Sequence, residues 1–172
     1  HLMFTTLLNF CSNDLSSFYF DIRKDSIYCD SKNSIKRKAA RTLLDILFNA
    51  LVRWFAPSLV FTTEEAWRAR GNKSSIHLEE FLKIDDGFKN DKIFKKWKVI
   101  KDIRKVITGA LEKKRSDKII GSSLESSIDV YISPKNFSIL KDTDFAEISI
   151  TSNANLVSSN DFTKGFAIEE IK

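Results

Sequence analysis

Apolar residues recur with a helical period as far as residue 117, and beyond Gly121 the period shortens to two. Leu2, Phe4, Leu7, Leu8, Phe10 and Cys11 share one helical face, and the pattern resumes in Leu15, Phe18, Tyr19 and Ile22. Between them, Ser12, Asn13 and Asp14 predict a break and a cap for a second segment. The mixed polar stretch 25–33 predicts a loop. Residues 34–56 give the clearest helix, with Ile35, Ala39, Leu43, Ile46, Leu47, Ala50, Leu51, Trp54 and Phe55 at helical spacing. Leu44, Phe48 and Val52 widen that stripe.

Pro57 stops this helix, because it lacks an N–H and restricts Ala56 before it. Thr62 or Thr63 then predicts the N-cap of a helix over 63–70, with Glu64 and Glu65 in its first turn and Gly71 at its end. Phe61 and Trp67 are placed to pack as a staple across that start. Residues 74–78 predict a short extended piece and 85–91 a loop, with Asp91 capping a long helix over 91–117. Ile93, Trp97, Ile100, Ile103, Ile107 and Leu111 form the seam of that helix.

Past Gly121, Ile128, Val130 and Ile132 alternate with Asp129 and Tyr131, a strand signature. Residues 145–150 and 166–171 predict two more short strands, and 137–140 a helical turn. The reading is mainly α: a helical bundle over 1–118, then a small α/β subdomain over 119–172.

Composition agrees with that outline. Of 172 residues, 42% are apolar and 14 are Phe, enough for an aromatic-rich core. Only 5 Gly and 2 Pro argue against a loop-rich all-β chain. Cys11 and Cys29 have no CxxC partner, and the histidines are His1 and His77, so no metal-ligand spacing is present. Idle thiols fit a reducing cytosol and a cytoplasmic location. No apolar run approaches the roughly 20 residues that cross a bilayer, and no secretory signal is visible. The chain begins within a helical pattern at His1-Leu2-Met3-Phe4, which reads as a piece of a longer protein.

Catalytic patterns are missing as well. There is no Gly-rich phosphate loop, no GxSxG and no HExxH. His77 lacks an evident partner, and capping and ion pairing explain Asp14, Asp21 and Asp25. No catalytic residue is assigned. What remains is charge, net +5. The stripe from Lys92 to Arg115 on the 91–117 helix reads either as a solvated face or as an RNA contact. Lys32, Lys36, Arg37, Lys38 and Arg41 form a denser cluster, whose mutual repulsion an RNA backbone would relieve by neutralisation and counterion release. Tyr28, in a polar stretch, is the one aromatic kept open for base stacking, against a packing role.

Three blocks carry a family resemblance. The run Asp14 to Tyr28 resembles the D-L-S-x-F-Y-x-D-x-x-K-D-x-x-Y signature of isoleucyl-tRNA synthetases, within class I aminoacyl-tRNA synthetases. Phe55 to Trp67 is similar to the family's L-A-P-x-L-x-F-T-x-E-E-x-W corner, which valyl-type enzymes share. Arg104, Ala110-Leu111-Glu112, Arg115, Lys118, Ile120-Gly121 and Ser123-Leu124-Glu125 resemble its R-x-x-V-x-x-A-L-E-x-x-R-x-x-K-x-I-G-x-S-L-E run, with Val106 displaced by one position.

The resemblance implies the anticodon-binding region of a bacterial enzyme that uses ATP to join isoleucine to tRNA. Its ATP-handling HIGH and KMSKS motifs, its editing domain and its C-terminal zinc-binding cysteines are absent from this sequence. ATP and zinc are therefore expected only of the longer enzyme, with tRNA and that enzyme's catalytic domain as partners and no membrane. Asp14, Ser16, Tyr19, Lys24, Asp25, Tyr28, Pro57 and Trp67 are expected to fix geometry and docking. Backbone contact is expected from Lys32, Lys36, Arg37, Lys38 and Arg41, on charge alone. The alternatives are the same domain of a valyl-type synthetase, or a helical protein-interaction module without a tRNA role.

Overall fold

The computed structural model describes residues 1–160, so the strand expected over 166–171 lies outside the described residues. Contacts divide the chain into two compact units, meeting in sequence at Phe88 and Lys89. The change of period near 118–123 marks a different thing, the passage from helix to sheet within the second unit. The long helix shares its core with that sheet.

The first unit begins with α1 (Leu2–Asn9), continues as a π-helical segment (Phe10–Phe20) and ends as α2 (Asp21–Tyr28). Asn9, Phe20 and Asp21 are all right-handed helical at the joints, so the chain does not break where Ser12, Asn13 and Asp14 predict a cap. Instead the ladder widens there. Ser17 donates its hydroxyl to Ser12 O five residues back, at 2.8 Å, the spacing of a π turn. The helix also outlasts the predicted loop start, because Cys29 N still donates to Asp25 O.

Next comes α3 (Ile35–Phe55), which starts at Ser34, whose Oγ accepts from Arg37 N. It ends ahead of Pro57, as the sequence predicts. Phe55 also meets Phe4 edge-to-face, with ring centroids 5.6 Å apart. After the corner, α4 (Val60–Ala69) begins three residues earlier than expected, behind Leu59 and without a side-chain cap. Thr63 is buried inside the helix and donates to Leu59 O at 2.9 Å, so it is no cap. Burying Thr63 and Trp67 on one face at i, i+4 requires a helical turn already formed at Thr63. The staple is absent too: Trp67 is buried while Phe61 stands 88% exposed. Gly71 follows at φ +88°, its N–H donating to Arg68 O, the left-handed ending that glycine adopts without strain. The piece expected to be extended at 74–78 instead contains a 3₁₀ turn at Ile76–Leu78.

In the second unit, α5 (Asp91–Ser116) is capped by Asn90, whose Oδ1 accepts from Ile93 N, and Asp91 sits in the first turn. Beyond it lie β1 (Ser127–Ile132), α6 (Pro134–Leu140), α7 (Phe145–Ser149) and β2 (Asn153–Ser158). The strands are parallel, in register from Ser127 opposite Asn153 to Ile132 opposite Ser158. Residues 145–150 are therefore mostly helix and not strand. Asp144 Oδ1 accepts from Glu147 N at 3.0 Å, and this cap starts the turn. Ile100, Ile107 and Leu111 of α5 bury against Ile128, Val130, Ile132, Leu140, Phe145 and Ile148. The architecture is helical with a small two-stranded α/β part, as the periodicity predicts.

Candidate nucleic-acid interface

The loop from Cys29 to Ser34 and the first turns of α3 present the basic cluster. Lys32, Lys36, Lys38 and Arg41 are exposed. Arg37 differs from them: it is half-buried, with Nη1 donating to Asp30 O and Nε enclosed without a hydrogen-bond partner. Ser34 ties the same loop by donating to Asp30 Oδ2 at 2.9 Å. Arg37 is thus a strut of the loop, and four cations remain on the surface. No acid stands in the first turn of α3. Lys36 and Arg37 lie at the positive end of its dipole, an unfavourable place worth a few tenths of a kcal/mol each. A positive helix end ringed by lysines is, however, a good seat for phosphate.

Beside this cluster runs an open groove of about 980 Å³, lined by Leu15 and Phe20 of the π-helical segment, by Lys38, Arg41, Asp45 and Phe48 of α3, and by Arg70. Arg70 pairs with Asp45, and its guanidinium carbon lies 5.2 Å from the centroid of the Phe48 ring.

The corner is built around Trp67. Its Nε1 donates to Ser74 O at 3.1 Å, and the Arg53 guanidinium covers the ring at 4.7 Å. Arg53 also pairs with Glu79 at 3.0 Å and donates to Asn49 O. Glu64, expected to face the α4 dipole, holds the following loop: it accepts from Arg68 Nε at 2.8 Å, Ser75 Oγ at 2.8 Å and Ile76 N at 2.9 Å. Those bonds, the one from Arg68 foremost, lower its pKa from 4.5 to about 2.

The motif residues on the first helix are scattered around it. Asp14 is half-buried, while Ser16 and Asp25 are exposed. Lys24 pairs with Asp21 at 3.2 Å. Tyr19 sits edge-to-face with Phe20, and burial raises its pKa, with the Arg23 charge pulling the other way. Tyr28 is 82% exposed, so it does not pack into the unit. Pro57 is exposed and Trp67 buried at the corner. Phe20, Asp45, Phe48 and Arg70 are not among the residues that the sequence singles out for a site. Arg41, Asp45 and Phe48 carry a signal in their i, i+4, i+7 spacing, whereas Arg70 carries none.

The family model for the anticodon-binding domain of tRNA ligase matches residues 1–132. The chain belongs to that family. Among curated relatives, this anticodon-binding domain is 48% identical to an isoleucine–tRNA ligase of Pelagibacter ubique, over all of the chain and 19% of that protein. It is 46% identical to the isoleucine–tRNA ligase of Agrobacterium fabrum, over 96% of the chain and 17% of that protein. With the Gluconobacter oxydans isoleucine–tRNA ligase it shares 46% identity, over 88% of the chain and 16% of that protein. The anticodon-binding domain thus spans under a fifth of the length of these relatives.

Among the described residues, no three His, Cys, Asp or Glu side chains converge as a metal site, and Cys11 and Cys29 are unpaired. They do not fit the zinc that the resemblance attaches to the longer enzyme. No described helix is long and apolar enough to cross a membrane.

Proposed function

We propose that this chain is the tRNA-recognising part of a cytoplasmic isoleucine–tRNA ligase, and that it grips the backbone of the anticodon stem-loop. The longer enzyme would supply ATP-dependent joining of isoleucine to tRNA, and its catalytic domain would be this region's neighbour in the same polypeptide. One observation supports the site most directly. In a chain of the anticodon-binding family, Lys32, Lys36, Lys38 and Arg41 stand exposed around a helix start where charge works against the helix. The three relatives named above are isoleucine–tRNA ligases, which favours isoleucine over the valyl-type alternative.

Such binding weakens steeply as salt rises, because each neutralised phosphate releases counterions. Replacing Lys36, Lys38 and Arg41 together with Glu is expected to abolish binding of an isoleucine-acceptor tRNA in a fluorescence-anisotropy titration, with helicity by circular dichroism unchanged. Arg37 is left out because its loss would loosen the loop. Unaltered binding in the triple variant would remove the site assignment. Equal affinity for isoleucine-acceptor tRNA, a non-cognate tRNA and an unrelated hairpin would instead favour a protein-docking module.

A further inference from the structure

The groove beside the basic cluster has one constructed wall. Arg41, Asp45 and Phe48 follow each other at i, i+4 and i+7, so they share a face of α3. Arg70, the C-terminal cap residue of α4, reaches that face, where Asp45 pairs with its guanidinium and the Phe48 ring lies against it. The plane is held, yet the Arg70 side chain is 54% exposed. A guanidinium fixed in this way is a flat cationic surface, and unpaired bases stack on arginine planes as they do on aromatic rings. Phe20, 42% exposed, lines the same groove. Lys38 and Arg41 bring further positive charge, and Asp45 is the one carboxylate of the lining. Apolar floor, planar cation and excess positive charge together complement a flat base carrying a phosphate.

We infer that the groove holds one unpaired nucleotide of an RNA loop, its base stacked on the Arg70 guanidinium and its phosphate paired with Lys38 and Arg41. Asp45 and Phe48 are then positioning residues, which keep the Arg70 plane in place before RNA arrives. This rests on the RNA-binding reading above and adds what that reading lacks, a means of telling a single-stranded loop from a paired stem. The backbone cations do so poorly, because stem and loop both carry phosphates.

The test titrates the 172-residue chain with two RNA hairpins that share one stem. One carries an open loop containing a fluorescent adenine analogue, and the other is closed by a compact stacked loop. The wild-type chain should bind the open loop more tightly and change the analogue's fluorescence. Arg70→Lys keeps the charge and loses the plane. It should weaken the open-loop hairpin about ten-fold, leave the compact hairpin unchanged and leave the salt slope as it was. Arg70→Gln retains a planar amide and should keep part of the loop preference. Lys38→Ala should weaken both hairpins and reduce the salt slope by about one. Equal losses on both hairpins in Arg70→Lys, or none on the open loop, would overturn the groove assignment while leaving backbone binding intact. Failure of the wild-type chain to bind either hairpin would remove the RNA-binding reading itself, and this one with it.

Discussion

The unit up to Phe88 and the unit from Lys89 are held together by different means. In the first, a small buried cluster of Val52, Ala56, Trp67 and Ile76 is surrounded by directional contacts. Arg53 covers Trp67 and pairs with Glu79, Glu64 gathers three donors, and Ser34 and Arg37 fasten the loop before α3. In the second, α5, β1, α6 and α7 share one larger apolar cluster centred on Phe145 and Leu140, which are 1% and 0% exposed. Apolar burial stabilises without fixing direction; hydrogen bonds and ion pairs fix direction for a modest net gain. The unit that carries the proposed interface is thus tied mostly by contacts that set angles, and its neighbour mostly by contacts that set density.

The sharpest way to break this comparison is Phe145→Ala. Truncating an aromatic ring at the centre of the second cluster should cost about 3–5 kcal/mol, read as a drop in the denaturant midpoint. A loss below about 1 kcal/mol would mean that the second unit is not held by packing. Trp67→Phe keeps most of the apolar surface at the corner but removes the bond to Ser74 O and weakens the stacking of Arg53. A loss of about 1–2 kcal/mol is expected, and no loss would show that the corner relies on burial after all.

Glu64→Gln changes the shape of a pH profile more than its height. The folded-state pKa of Glu64 is depressed from 4.5 to about 2, so its contribution is fully present above 4.5 and fades as pH falls through 2. Wild type and variant should therefore differ most near neutral pH and converge toward pH 2 in thermal melts. Parallel curves would mean that the carboxylate is not a tie. Smallest, and of opposite sign, is Lys118→Gly. Lys118 sits at φ +57° just past α5, and glycine there should raise stability by under about 1 kcal/mol. Lys118 and Ile150 are the non-glycine residues with positive φ among the described residues, and both lie in the second unit. A densely packed region can over-determine such strain.

The sequence is legible where one local force decides the outcome. Amphipathic periodicity places α3 and α5 to within a residue or two, and alternation places β1, because each has one face buried. Residues 145–150 are ambiguous for the same reason: Phe145, Ile148 and Ile150 suit a strand or a short helix, and the Asp144 cap decides. β2 is hard to read because Asn153, Ala154 and Asn155 are poor strand formers, although polar and apolar positions alternate there. The π-helical segment has no signal of its own, since its polar residues Ser12, Asn13 and Asp14 also fit a cap. At the interface, Lys32, Lys36, Lys38 and Arg41 are neighbours in sequence and could be read as a group. That Arg37 turns inward depends on how the loop before α3 closes back on it at Asp30, and that Arg70 joins a groove with Asp45 twenty-five residues earlier depends on how α3 and α4 pack.

The widened ladder between Phe10 and Phe20 sets the phase of everything after it on the first helix. Ile22 and Ser26, buried at i and i+4 in α2, hold their inward angle only because the preceding residues are spent at five per bond in place of four. Deleting a single residue from that stretch would therefore do more than remove a side chain. Were the ladder to keep its width, each residue beyond the deletion would be carried round the axis by one residue's share of a turn, taking Ile22 off its inward angle. The segment works as a rotational offset written into one helix, and its length is as much a part of the design as its composition.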